Sequence, residues 1–460
     1  MVTALRREHL SSSRLRPAQH AGTPDIPGSL PGVRHHTQKK ESEKTMIDLT
    51  TSSPQPSSKN IALIGIGMGG GDGATMTTGA AEFCREAGLL IGARRMLESI
   101  PDNGQRREAE YRAAEIAALI EKADETQIAV LLSGDVGFFS GAKKLLELLP
   151  DDVKVYAGIS SVVYFCSKLH MAWEDAVITS SHGRRCNLIG EIRRSAKVFS
   201  ILGTGSAVRE LCDKLTWYGL TDVEVCVGED LSYPEEKILR GKPEEFLQYE
   251  GSALSVVMII NPDPCRVVTH GLPDEAFLRD KVPMTKEEVR EVSVSKLRLT
   301  DDSVIYDVGA GSGSVSIEMA LQACQGCVYA IEKNPTAVDL LGRNKQRFCA
   351  DNLEIIEGLA PDAMEELPAP THAFIGGSSG NLKQILECLL AKNPEIRVVI
   401  NAITLETVGE ALEALRELPF GDVDIASVST AKSKEIGRYH MMLGQNPVYV
   451  IAASGLVPQE

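Results

Sequence analysis

No stretch of this 460-residue chain approaches the roughly 20 apolar residues that a membrane-spanning helix needs. The first residues are polar and basic and lack an apolar core, so no secretory signal is visible. Positive charge is in deficit: 48 Lys and Arg against 63 Asp and Glu leave a formal charge of -15. That balance argues against nucleic acid as the main partner, because such binders usually carry a basic face. A small anionic ligand in a locally basic pocket stays compatible with it. The ten cysteines form no even framework, which suits reduced thiols and a cytoplasmic setting. Cys324-x-x-Cys327 falls where a helix gives way to a strand, with no second pair to complete a zinc site, so no metal is expected. No Ser/His/Asp triad or paired-carboxylate site stands out either, and no catalytic residue is singled out.

What is present is the composition of a soluble α/β protein, 43% hydrophobic and 24% charged. The length exceeds what one core ordinarily serves, so two to three domains are expected. Residues 1–58 hold almost no apolar pattern and read as a disordered extension. Translation is expected to start at Met46. A transit peptide is the other reading, opposed by Glu8, Glu41 and Glu43. From Asn60, buried-strand runs at 61–66, 88–91, 128–132, 153–156, 198–202, 223–227 and 255–260 predict a mostly parallel sheet. Asn261-Pro-Asp-Pro264 breaks that pattern. The chain divides accordingly into a domain over 59–262, a linker over 263–272 and a second domain over 273–460. In the latter, Thr285 and Glu288 have the spacing of a capping box for a helix reaching about Leu297. Strands are expected near 304–308, 328–332, 353–357, 373–375 and 397–400. A further pair, 423–427 and 447–452, reads as an antiparallel edge joined by a long polar connection, giving a doubly wound sheet with a reversed last strand.

The strongest signal is Asp307-Val-Gly-Ala-Gly-Ser-Gly-Ser314, placed directly after a strand and opening a helix. Gly309, Gly311 and Gly313 let the backbone turn tightly and approach a ligand closely. Ala310 and Ser312 lie in the same loop, and the helix presents free N–H groups to whatever sits there. Glu332 ends the next strand, where nucleoside-binding sheets place an acid on the ribose hydroxyls. A dinucleotide site needs G-x-G-x-x-G. Here the spacing is G-x-G-x-G with Asp307 just upstream, an acid that repels a pyrophosphate and attracts a methionine amino group. The chemistry therefore favours S-adenosylmethionine over NAD. Gly358 and Ala360 end the third strand, where an adenine is met. Gly376, Gly377 and Ser378 end the fourth, small and free of the aromatic run that nucleic-acid base methylases use to stack a flipped base. They leave room for a bulky acceptor and are assigned to substrate.

Residues 271–450 resemble the C-terminal, decarboxylating half of the precorrin-6Y methyltransferases. The motifs are Val282-Pro-Met-Thr-Lys-Glu-Glu-Val-Arg290, the glycine loop, Tyr329-Ala-Ile-Glu-Lys-Asn-Pro335 and Phe374-Ile-Gly-Gly-Ser378. The resemblance implies cofactor contacts from Thr285, the loop Gly309 to Gly313, Glu332, Gly358 and Ala360.

In the first half, Ile64-Gly-Ile-Gly-Met-Gly-Gly70 fits G-x-G-x-x-G, yet Gly92-Ala-Arg-Arg95 follows the second strand with no acid, so the dinucleotide reading fails. Leu132-Ser-Gly-Asp-Val-Gly-Phe-Phe139, Ala157-Gly-Ile-Ser-Ser161 and Ser180-Ser-His-Gly-Arg184, in that order, resemble the tetrapyrrole (corrin/porphyrin) methylase family, in its precorrin-6Y branch. Val136 stands where the family has proline, and Gly69-Gly-Gly-Asp72 replaces its usual Pro-Gly-Asp. The resemblance implies that Ser133, Gly134, Asp135, Phe138, Ser160 and Ser161 line a cofactor cleft between two lobes. His182, Arg184 and Arg185 would meet substrate carboxylates. The alternative for His182 is a turn histidine bonded to backbone.

The combined resemblance implies a two-lobed tetrapyrrole methylase domain followed by a Rossmann-like methyltransferase domain. It further implies methylation of a precorrin-6 (or cobalt-precorrin-6) ring at carbons 5 and 15, with loss of the carbon-12 acetate carboxyl, in cobalamin biosynthesis. A homo-oligomer is expected, with no nucleic-acid or membrane partner. On the residues alone two other readings stay open. One is a methyltransferase for RNA or a small metabolite. The other is a nucleotide-sensing module that binds without turnover.

Overall fold

Short apolar runs punctuated by glycine become buried strands, and the period of two along each strand decides what each side chain meets. The computed structural model describes residues 59–69, 75–182, 186–265 and 271–456. The expectations for residues 1–58, and those for Arg184 and Arg185, lie outside these. In the first half, β1 (Asn60–Gly65), β2 (Leu89–Gly92), β3 (Arg106–Ala109), β4 (Gln127–Leu132) and β5 (Lys154–Tyr156) form a sheet in the order β3-β2-β4-β1-β5. All its pairings are parallel. Ile61 and Leu63 of β1 pack into one core, and Ala62 and Ile64 into another on the opposite face. Burial on both faces is why β1 and β4 read as unbroken apolar runs.

The second sheet comprises β6 (Val177–Ser180), β7 (Lys197–Ile201), β8 (Glu224–Glu229), β9 (Lys237–Gly241) and β10 (Ser255–Ile260), in the order β6-β7-β10-β8-β9. Here the expected parallel arrangement is corrected: only β6 and β7 run parallel. The segment between β8 and β9 is too short for a crossover, which takes a dozen or more residues, so β9 must turn back. β10 then enters between β7 and β8, antiparallel to both.

The third sheet has seven strands: β11 (Val304–Val308), β12 (Cys327–Glu332), β13 (Leu353–Glu357), β14 (His372–Ile375), β15 (Arg397–Ala402), β16 (Phe420–Val428) and β19 (Val448–Gly455). Their order is β13-β12-β11-β14-β15-β19-β16. Parallel pairing runs from β13 through β15, after which β19 pairs antiparallel with both β15 and β16. β19 is therefore interior, and β16 alone forms that edge. The polar connection carries a separate hairpin, β17 (Ala431–Ile436) with β18 (Tyr439–Gly444). Tyr439, Met441, Met442 and Leu443 stand exposed on it. The chain leaves β11 toward β12 on one side and reaches β14 on the other. This puts the point where strand order reverses at the C-terminal end of β11, where open α/β sheets hold ligands.

Candidate functional site

At the end of β11 the backbone adopts positive φ at Gly309 (74°), Gly311 (56°) and Gly313 (78°). A Cβ built on Gly309 would lie 2.7 Å from the Gly377 carbonyl, so the loops after β11 and β14 touch backbone to backbone. Gly313 serves packing instead: its Cβ would meet Leu341 at 2.8 Å, and it opens the helix Ser314–Gln322. Glu332 is fixed from two sides. Its Oε2 accepts from Gly311 N at 2.8 Å and its Oε1 from Asn334 N at 2.9 Å. Asn334 in turn caps the helix Pro335–Phe348 by accepting from Thr336 N.

These loops wall a cavity of about 610 Å³. Thr285, Gly309, Ala310, Gly311, Ser312, Glu332, Gly358, Ala360, Gly376, Gly377 and Ser378 all face it. Two expected residues do not. Gly313 lies under Leu341, and Asp307 lies beneath the glycine loop. The alternation along β11 turns Asp307, like Ile305, toward the helix Ser314–Gln322. There it is fully buried and Ser316 Oγ donates to its Oδ2. Its Oδ1 has no partner among the described residues. Burial pushes this carboxyl up to about 7, with the charge of Glu332 adding to the rise and the bond from Ser316 opposing it. A direct pairing with a bound amine is thus not what this geometry provides.

The capping box expected from Thr285 and Glu288 does not form either. The helix Glu287–Leu297 starts after Lys286 with no side-chain cap, and Glu288 pairs with Lys432 at 3.0 Å. What holds the Val282–Thr285 strap over the loop is Arg290, which has no exposed surface. Its guanidinium donates to Glu318 at 2.9 Å, to Asp274 at 3.2 Å and to the Thr285 carbonyl at 2.8 Å, and lies 4.8 Å from the Phe277 ring centroid. Glu318 also accepts from Gly271 N and Leu272 N. The sequence contained Arg290 within a motif but gave no sign of its partners. It also missed Lys286, Lys333, Ser379, Asn401, Gln445 and Asn446 on the cavity wall. Asn401 lies one residue before the end of β15, where the same strand-end logic could have pointed to it.

In the first half, Gly67 and Gly134 exchange backbone hydrogen bonds, closing the end of β1 onto that of β4. Asp135 binds backbone: its carboxylate accepts from Gly137 N at 2.8 Å and Gly158 N at 3.1 Å, tying the loop after β4 to that after β5. A cavity of about 250 Å³ opens beside it, lined by Ser133, Gly134, Phe138, Ser161 and His182. Arg95, Tyr233 and Asp230 join them, all unforeseen from sequence. Asp135 and Ser160 are not on this wall. Ser160 is buried at the start of the helix Ser161–Leu169. Among the described residues no cluster of His, Cys, Asp or Glu could hold a metal, and no helix is long and apolar enough to cross a membrane.

The C-terminal cavity suits a nucleoside. A carboxylate held at a strand end can still accept from a diol, the glycine loop admits close approach, and the lining mixes apolar walls with a few polar groups. Residues 275–454 match the model of the precorrin methyltransferase domain, and residues 62–247 that of the tetrapyrrole (corrin/porphyrin) methylases. The chain is 41% identical over 188 residues to a protein of Pyrobaculum calidifontis named "Probable cobalt-precorrin-6B C(15)-methyltransferase (decarboxylating)", covering 40% of this chain and 96% of that one. It is 40% identical over 183 residues to the cobalt-precorrin-6B C(15)-methyltransferase (decarboxylating) of Salmonella typhimurium, covering 39% and 94%. Among solved structures, a precorrin-6y C5,15-methyltransferase from Geobacter metallireducens shares 40% identity, covering 40% of this chain and 96% of that chain, with a TM-score of 0.39.

Proposed function

This chain belongs to the family of decarboxylating cobalt-precorrin-6B C(15)-methyltransferases, and on that premise we propose that it methylates a precorrin-6 ring, with or without cobalt, at carbons 5 and 15 and removes the carboxyl of the carbon-12 acetate. Carbon 5 is the task of the domain over 59–262. Carbon 15 and the decarboxylation belong to the domain over 273–460, after a linker over 263–272. S-adenosylmethionine is the methyl source at both sites, its sulfonium supplying an already activated methyl. The observation that carries the reading is the single cavity that unites the glycine loop, Glu332 and the small wall Gly376–Ser378.

The residues then divide the work. Glu332, held by Gly311 N and Asn334 N, accepts from the ribose hydroxyls. Gly309 to Ser312 bound the amino-acid tail, while Gly358 and Ala360 meet the base. Thr285 closes the opposite side under the control of Arg290. The wall Gly376–Ser378 offers no bulk, so a flat ring can lie close to the methyl group. A meso carbon of a reduced tetrapyrrole is an enamine-like nucleophile, and alignment for in-line attack supplies most of what is needed. In the second step the bond from the acetate methylene to its carboxyl carbon breaks, its electron pair passes into the ring and carbon dioxide leaves. The methylene takes up a proton to become a methyl group, balancing the proton that the methylated meso carbon gives up. In the first half Ser133, Gly134, Phe138 and Ser161 hold the cofactor, Asp135 sets the loop and His182 meets substrate. Arg184 and Arg185 are assigned the same substrate role.

A homo-oligomer is supported by the exposed apolar residues of the β17–β18 hairpin. A cytoplasmic setting is supported by ten free cysteines. The test uses the full chain, a precorrin-6 substrate and methyl-labelled cofactor. Two methyl groups and one carbon dioxide per substrate are expected, with Glu332→Ala losing the carbon-15 methyl and the carbon dioxide but keeping the other methyl. No heat in calorimetry with either the cofactor or its demethylated product would overturn the reading.

A further inference from the structure

We infer that Lys333 is a substrate-binding residue that grips a carboxylate the methyl acceptor retains. The inference rests on the reading that the C-terminal cavity takes the sulfonium nucleoside and its acceptor. Two ammonium groups line that cavity, Lys286 and Lys333. Lys286 Nζ stands 3.9 Å from the Asp274 carboxylate. Lys333 makes no ion pair among the described residues; its Nζ donates to Ser379 Oγ at 2.9 Å. β12 and β14 are the two neighbours of β11. The bond from Lys333, just past β12, to Ser379, just past β14, therefore crosses over the end of β11. It brings a cation beside Gly376–Ser378, where the wall has no bulk of its own. An ammonium has three N–H donors and this bond uses one.

Charge makes such a group necessary. The chain carries -15, a field that repels an acceptor bearing several acid side chains, so capture falls to a local unpaired cation. The same charge excludes Lys333 as the partner of the carboxyl that is lost. An ion pair stabilises the ground-state carboxylate more than a transition state whose charge has moved into the ring, and so opposes carbon dioxide release. The group it holds is a retained carboxylate, and the departing one lies away from it.

The test is Lys333→Met in the full chain, assayed with the precorrin substrate. KM should rise roughly fivefold, the size of a partly exposed ion pair. The kcat, the ratio of carbon dioxide to methyl transferred and the calorimetric affinity for the demethylated cofactor should hold. Added salt should raise KM in the wild type much more than in the variant, and Lys333→Arg should restore most of the loss. An unchanged KM overturns the inference. A changed ratio of carbon dioxide to methyl also overturns it, by placing Lys333 on the departing group, and a weakened cofactor affinity does so by placing it on the nucleoside. If the wild-type chain itself binds no cofactor, the underlying reading of the cavity fails instead.

Discussion

Gly311 donates its backbone N–H to Glu332 Oε2 at 2.8 Å, so the loop that opens one helix and the acid that ends the neighbouring strand are a single unit. Moving either moves the other. Glu332→Gln removes the charge and leaves one amide oxygen where two carboxylate oxygens accept, so only one of Gly311 and Asn334 keeps its partner. The loss is on the order of 1.5 kcal/mol for hydrogen bonds to a charged group. Cofactor affinity should fall about tenfold and the melting temperature modestly, as calorimetry and melting would read. Glu332→Ala should lose both.

Gly309→Ala should be more damaging than its one methyl suggests. The φ of 74° is strained for alanine, and the new Cβ would sit 2.7 Å from the Gly377 carbonyl. Strain of this kind costs of order 1–3 kcal/mol. A lowered melting temperature together with lost cofactor binding is expected.

Asp307 gives the pH dependence a sign. Burial raises its pKa to about 7, well above the roughly 3.9 of an unfolded aspartate. The folded state therefore holds the proton more tightly than the unfolded state. Its contribution to stability is fully present below about pH 4 and is lost as pH climbs through about 7. In Asp307→Asn that downward slope should vanish, which urea titrations at pH 5 and pH 7.5 would show. An equal slope in both proteins would refute it.

Arg290 neutralises two buried carboxylates, Asp274 and Glu318. Arg290→Met leaves both without their cation, a loss of about 3–5 kcal/mol. A large fall in the denaturant midpoint is expected. Glu318→Gln should cost less, because the amide oxygen still accepts from Leu272 and Arg290 and only the bond from Gly271 is lost.

The β17–β18 hairpin exposes Tyr439 and Met442 by 66% and 61%, more than its other apolar side chains. If copies associate there, Tyr439→Asp with Met442→Asp should lower the mass seen by light scattering and leave far-ultraviolet dichroism intact. An unchanged mass would place the contact elsewhere.

What the sequence shows and what it hides follow one physical division. The helix Pro335–Phe348 is legible because Asn334 and Pro335 announce its start, and β13 is legible from its apolar run. The glycine loop is legible because positive φ demands glycine. β3, β6 and β9 escape notice because they are partly exposed edge strands, β3 and β9 carrying charge, as in Arg106-Arg-Glu-Ala109. The antiparallel second sheet depends on where β10 inserts, which no local pattern encodes. The same holds at the site. Glu332 is found by its place at a strand end, whereas the side to which Asp307 turns and the partners of Arg290 depend on elements far along the chain.

Two of the sheets are completed by a latecomer. β10 fills a slot between β7 and β8, and β19 one between β15 and β16. During synthesis each slot stays open, with two unsatisfied edges facing it, until its final strand emerges. For the cavity-bearing sheet that moment arrives only after Val448 has left the ribosome. The cavity-bearing sheet therefore closes only after every strand of the first two sheets has been made, and deleting Val448–Gly455 would remove the wedge that binds β15 and β16 into one sheet.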